Sequence, residues 1–273
     1  MILNKFLGIS SLVKKRQRGG KAKPNFFIIG AAKAATTSLA SLLSEHPEAA
    51  IVQRKEPHFF SEDLNYAKGY KQYLAMYSHC RNELAIGDAS TSYSRIRQHP
   101  HTIARIKHHV PKAKIIYMVR HPIERMVSAY IEHISTPGSL APASINDAVL
   151  QIPAIIHSSR YWEVYQAYRG VFPESDIKVV WFEDYVDDTF AVFQDVCRFL
   201  GIDAEWRPDL SAENKNSKES TLQRKNKIGR EDLKVSLEWD ETLKQRIIAE
   251  LKDDTVSLLQ HFNRQGTYWS DLD

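Results

Sequence analysis

Asn25 to Leu43 reads NFFIIGAAKAATTSLASLL. An apolar run, Phe26 to Ile29, leads to Gly30, and a loop of small residues then holds one cation, Lys33. Thr36, Thr37 and Ser38 follow, and Leu39, Leu42 and Leu43 recur on one face of a helical pattern. A buried strand feeding a small-residue loop that opens a helix makes an anion site. The N–H groups of the first helical turn have no acceptor within the helix, and the helix dipole places partial positive charge there. Hydroxyls at the start add caps, and a lysine adds a mobile full charge. The stretch is therefore expected to bind a phosphate-like group. A small-residue turn that merely packs a helix closely on a strand is the alternative.

The loop differs from a Walker A loop, in which the lysine immediately precedes the final Ser/Thr. Lys33 lies three residues before Thr36, and Ala35 stands where the second glycine belongs. Working outward, further strands are expected at Ala49–Val52, Leu84–Asp88, Lys114–Val119 and Ile177–Phe182. Helices are expected where Tyr70, Tyr73, Leu74 and Tyr77 recur, at Ile103–Val110, along the stripe Tyr161, Val164, Tyr165 and Tyr168, and at Phe190–Leu200 before Gly201. That aromatic stripe is read as core. Strand and helix alternate, which argues a parallel sheet covered on both faces. Ser211 to Gly229 reads as a long loop, with two or three helices finishing the chain.

The chain has 273 residues, a hydrophobic content of 43% and a net charge of +4. These values suit one large α/β domain, expected over 24–273, with a mild bias toward anionic ligands and no call for nucleic acid. Two cysteines, Cys80 and Cys197, imply no disulfide framework and suit a reducing compartment. No run approaches the ~20 apolar residues of a membrane span, so a cytoplasmic location is expected. Residues 1–23 are expected to be a flexible basic arm.

Three further stretches hold candidate chemistry. In VRHPIERMVSAY, Val119 to Tyr130, Arg120 leaves a buried strand and Ser128 lies two helical turns on. Ligands of open α/β sheets bind at the carboxyl ends of strands, which puts Arg120 on the same edge as Lys33. A guanidinium fork and a hydroxyl can hold one phosphate together. In KEPHFF, Lys55 to Phe60, a carboxylate and an imidazole flank Pro57. Glu56 and His58 are both candidate bases, His58 having the more suitable intrinsic pKa. Lastly, Asp88 ends a strand and could imitate a Walker B acid.

The Lys33 loop resembles the 5′-phosphosulfate loop of sulfotransferases that use 3′-phosphoadenosine 5′-phosphosulfate (PAPS) as donor, and Arg120 with Ser128 resembles their 3′-phosphate site. The resemblance runs in order from about Phe26 to Leu200. It implies a single-domain, P-loop-NTPase-like sulfotransferase fold with a central parallel sheet flanked by helices. It implies donor binding by Lys33, Ala34, Ala35, Thr36, Thr37, Ser38, Arg120 and Ser128, with 3′-phosphoadenosine 5′-phosphate (PAP) as product and no metal. Glu56 falls where heparan-type and related bacterial members keep the glutamate assigned as general base, leaving His58 to orient the acceptor hydroxyl. Phe182, in the aromatic-Glu-Asp segment Trp181 to Asp184, would approach adenine, and a loop holding Lys215, Ser217 and Lys218 would close over the phosphates.

Three positions depart from the family pattern. Ala35 replaces a frequent glycine, and His121 replaces a common aspartate. Ala89 replaces the lysine of heparan members, which weakens the case for a sulfated glycosaminoglycan acceptor. The histidine of cytosolic phenol and steroid sulfotransferases is also missing near this segment. Carbohydrate, glycolipid and small natural-product alcohols stay open as acceptors, as does the oligomeric state. The rival readings are a P-loop-like nucleotide kinase or NTPase and a non-catalytic anion-binding protein.

Overall fold

The structure, a computed structural model, describes residues 22–53, 56–136, 138–207, 235–266 and 268–272. Five strands form one parallel sheet: β1 (Phe26–Gly30), β2 (Ala49–Ile51), β3 (Ala85–Ala89), β4 (Lys114–Val119) and β5 (Ile177–Trp181), in the order β2-β3-β1-β4-β5. The helices are α1 (Thr36–Glu45), α2 (Asp63–Tyr66), α3 (Tyr70–Ala75), α4 (Thr102–His109), α5 (Pro122–Ser135) and α6 (Ile145–Gln151). They continue with α7 (Ala154–His157), α8 (Tyr161–Arg169), α9 (Phe182–Asp187), α10 (Thr189–Leu200) and α11 (Glu241–His261). The expected architecture, a single α/β domain with a central parallel sheet flanked by helices, is the one observed.

The middle of the sheet is the part that holds the loop of interest. β1 is buried along its whole length and pairs on both sides, Phe26 with Gly87 of β3 and Phe26 with Lys114 of β4. Its Phe and Ile composition is what a strand covered on both faces requires. Gly87 is needed for that packing, because a Cβ there would lie 2.2 Å from the Phe26 ring. Beyond Gly30 the chain turns into α1, whose Leu39, Ala40, Leu42 and Leu43 face the core. The stripe Tyr161, Val164, Tyr165 and Tyr168 of α8 is buried, as core residues should be. α11 packs on α8, and Asp254 of α11 accepts from the Trp162 and Glu163 N–H groups at 2.9 Å each, capping α8 from outside its own chain segment.

One expectation needs correction. The fifth strand ends at Trp181, and Phe182 opens α9 rather than closing the strand. Acidic Glu183 and Asp184 in the first turn favour that helix start. Among the described residues, the chain finishes with one 21-residue helix and a short 3-10 turn, Ser270–Leu272. No helix among the described residues is long and apolar enough to cross a membrane. Most of the basic arm and the loop with Lys215 and Lys218 lie outside the described residues.

Candidate active site

The carboxyl ends of the central strands β1 and β4 lie side by side, and the two cationic motifs leave from them. From β1, the Ala31 N–H bonds the Met118 carbonyl of β4 at 2.7 Å, fixing the start of the loop. Lys33 and Ala35 then adopt left-handed conformations, with φ of 73° and 64°. These turns aim the chain into α1, where Leu39 N–H closes the first helical bond on Ala35 O at 3.1 Å. Gly30 allows a neighbour to come close: a Cβ there would meet Ser94 Oγ at 2.3 Å. Farther along, Ser38 Oγ and Tyr185 OH share a hydrogen bond of 2.6 Å, tying α1 to α9.

From β4, Arg120 turns back over this loop. Its guanidinium donates to the Lys33 carbonyl at 3.3 Å and lies 4.3 Å from the centre of the Phe182 ring. A stacked, partly desolvated guanidinium is held in one orientation, which suits forked recognition of an oxyanion. Burial pulls the Arg120 pKa down, and Glu124, 3.8 Å away, opposes that. The Arg120 carbonyl accepts from Tyr161 OH at 2.7 Å, and the next N–H, of His121, bonds Glu183 at 2.8 Å. His121 acts at the start of α5, its ring accepting from the Glu124 N–H and reaching Asp271 at 2.9 Å. Ser128 sits half-buried on α5, two turns in. Lys33 Nζ reaches the same helix, 3.2 Å from Glu132.

Across Gly30 lies the third motif. His58 Nε2 is 3.5 Å from Glu56 Oε2, and both residues hold positive φ, 51° and 57°, on either side of Pro57. Side chains held in the left-handed region cluster at sites where their direction matters. The 3-10 turn Thr91–Ser94 orients the pair: Thr91 Oγ1 donates to Glu56 at 3.3 Å, and Ser92 Oγ bonds His58 Nδ1 at 2.7 Å. Burial lowers the His58 pKa, with Glu56 pulling it back up, so the ring is neutral near pH 7. Behind them Asp88 is fully buried and accepts from Tyr73, Tyr93 and Ser90 at 2.7–2.8 Å, while Ser90 Oγ takes the His58 N–H at 3.3 Å. Its carboxylate is thus occupied inside the protein and offers no oxygen to a magnesium ion, unlike a Walker B acid.

With this geometry in view, the family model described as a sulfotransferase domain matches residues 23–254. The chain belongs to the sulfotransferase domain family. This sulfotransferase is similar to the membrane-associated sulfotransferase kil1 of Dictyostelium discoideum, 34% identical over 39% of this chain and 22% of that protein. It is similar to heparan sulfate glucosamine 3-O-sulfotransferase 3B1 of Homo sapiens, 33% identical over 43% of this chain and 28% of that protein. The matched part thus spans about a quarter of each relative's length. Among solved structures, a sulfotransferase from Alicyclobacillus acidocaldarius superposes with a TM-score of 0.71 at 27% identity, over 91% of this chain and 99% of that one. A mouse sulfotransferase complexed with PAP, SULT7A1, shares the fold, with a TM-score of 0.52 at 12% identity over 91% of this chain and 87% of that one.

The sulfotransferase thus brings together Lys33 with Arg120, Arg120 with Phe182, and Glu56 with His58. Sequence reading passed over Tyr185 and Glu132. Tyr185 follows the acidic start of α9 by one turn. Glu132 carries a helical signal, lying four residues beyond Ser128 on α5.

Proposed function

We propose that this sulfotransferase moves a sulfuryl group from PAPS to the hydroxyl of an acceptor alcohol, a carbohydrate, glycolipid or small natural product. The reading is supported chiefly by the Arg120 guanidinium lying 3.3 Å from the Lys33 carbonyl. Two cationic motifs so placed suit the two ends of one bisphosphorylated adenosine: Lys33 and the loop from Ala34 to Ser38 for the 5′ end, Arg120 and Ser128 for the 3′-phosphate. Phe182, already stacked on Arg120, offers its ring to the adenine.

Glu56 accepts the proton as the acceptor oxygen bonds to sulfur. The bond from sulfur to the 5′-phosphate oxygen breaks, and PAP leaves. Lys33 and the α1 N-terminus stabilise charge developing on that phosphate, a role worth about 10²–10³ in turnover for one donor. His58, neutral and held by Ser92, orients the acceptor hydroxyl toward Glu56. A base positioned in this way contributes ~10²–10⁴-fold.

Lys33→Met is expected to lower kcat by about 10²–10³ while calorimetry still detects PAP binding through Arg120. Arg120→Ala is expected to lose most PAP affinity. Unaltered turnover in Lys33→Met rejects the role of the lysine. A wild-type protein that binds ATP–Mg²⁺ in place of PAP rejects the donor.

A further inference from the structure

From Arg120 onward, every fourth residue of the α5 motif faces the donor region: Glu124, Ser128 and Glu132. Two of the three are carboxylates, and each pairs with one of the two cations. Glu132 Oε1 lies 3.2 Å from Lys33 Nζ, and Glu124 Oε2 lies 3.8 Å from the Arg120 guanidinium. The partners are unequally placed. The Lys33 and Arg120 side chains are 22% and 19% exposed, whereas Glu132 and Glu124 are 60% and 62% exposed. The cations are therefore fixed near the strand ends, and the carboxylates can swing to water at little cost.

We propose that Glu132 is a positioning residue for Lys33: it holds the lysine's charge when no nucleotide is bound, and the 5′-phosphate of the donor displaces it. Glu124 acts in the same way, at longer range, on Arg120. The inference rests on the donor reading given above. Two half-buried cations carried at the ends of neighbouring strands repel each other, and an exposed carboxylate beside each offsets that repulsion. The same carboxylates compete with an incoming polyanion, so they weaken its hold and ease the departure of PAP. The competition is modest, because a partly exposed ion pair is weak.

The test is calorimetric titration of PAP into four proteins: wild type, Glu132→Gln, Lys33→Met and the double variant. Glu132→Gln is expected to bind PAP about two- to fivefold more tightly, the range that a pair of this exposure allows. In the Lys33→Met background that gain should vanish, because there is no lysine left to release. Equal or weaker binding by Glu132→Gln overturns the proposal. So does an equal gain in both backgrounds, which makes Glu132 a distant negative charge acting on the ligand directly. Melting curves confirm that each variant is folded, and Glu132→Ala replaces Glu132→Gln if the latter does not fold. Wild type that fails to bind PAP defeats the donor reading and this inference together. Wild type that binds, with Glu132→Gln unchanged, defeats this inference alone.

Discussion

Ala35 sits at φ 64° and ψ 20°, immediately before α1. A Cβ in that conformation approaches the following carbonyl, at a cost of about 1–2 kcal/mol per residue. Glycine adopts it freely but loses more freedom on folding, which offsets part of the gain. Ala35→Gly is expected to stabilise the protein by about 1 kcal/mol and to raise Tm by roughly 2–4 °C. An unchanged or lower denaturation midpoint would show that the loop bears no such strain. At this scale much of the candidate site was legible in the sequence: Lys33 and Arg120 sit in motifs whose spacing suits anions, and Glu56 and His58 in a segment that resembles the family's general-base segment. Glu132 was not, because an acid on an exposed helix face normally faces water. Only the fold puts it 99 positions along the chain yet beside Lys33.

Helix α8 owes its start to another helix. Asp254 of α11 accepts from Trp162 and Glu163, and Glu250 pairs with Arg160 at 2.5 Å just before the same terminus. Asp254→Ala leaves two N–H groups at the α8 start without that acceptor, and is expected to cost about 1–2 kcal/mol. Thermal melting reads the loss. Amide exchange at Trp162 and Glu163 should quicken with it, whereas Asp254→Asn, which keeps one acceptor oxygen, should lose less. The same contact bears on α11 itself. Asp253, Asp254 and Thr255 are weak helix formers, but Asp254 is engaged on α8 and Thr255 is buried. Tertiary packing thus overrides local preference. The strands were easier to read, since Lys114–Val119 is almost wholly apolar and Pro122 marks the next helix.

For the molecule as a whole, alternation of strand and helix announced a parallel sheet, but the strand order came only with the structure. The order matters because it surrounds Asp88 with Tyr73, Tyr93 and Ser90. Burial pushes the Asp88 pKa from 3.8 up to about 6, against the three hydrogen bonds that lower it. The folded protein therefore holds this proton more tightly than the unfolded chain does. The contribution of Asp88 to stability is greatest below the unfolded value and falls as pH rises from about 4 to about 6, by up to ~3 kcal/mol, with no further loss above. In Asp88→Asn the amide oxygen accepts from both tyrosines and the NH₂ donates to Ser90. The difference in unfolding free energy between wild type and Asp88→Asn is expected to shift in favour of the variant across that interval. A constant difference would place the ionisation outside it.

The central place of β1 has a consequence during synthesis. Phe26–Gly30 leaves the ribosome before either neighbour, since its partner β3 begins at Ala85 and its partner β4 ends at Val119. At ordinary rates of elongation the strand waits roughly 4–18 s before both neighbours exist. Until Ala89 is made neither edge of this apolar segment has a partner, and from then until Val119 only one does. Nascent chains stopped short of Val119 should therefore be the ones that call most on chaperones.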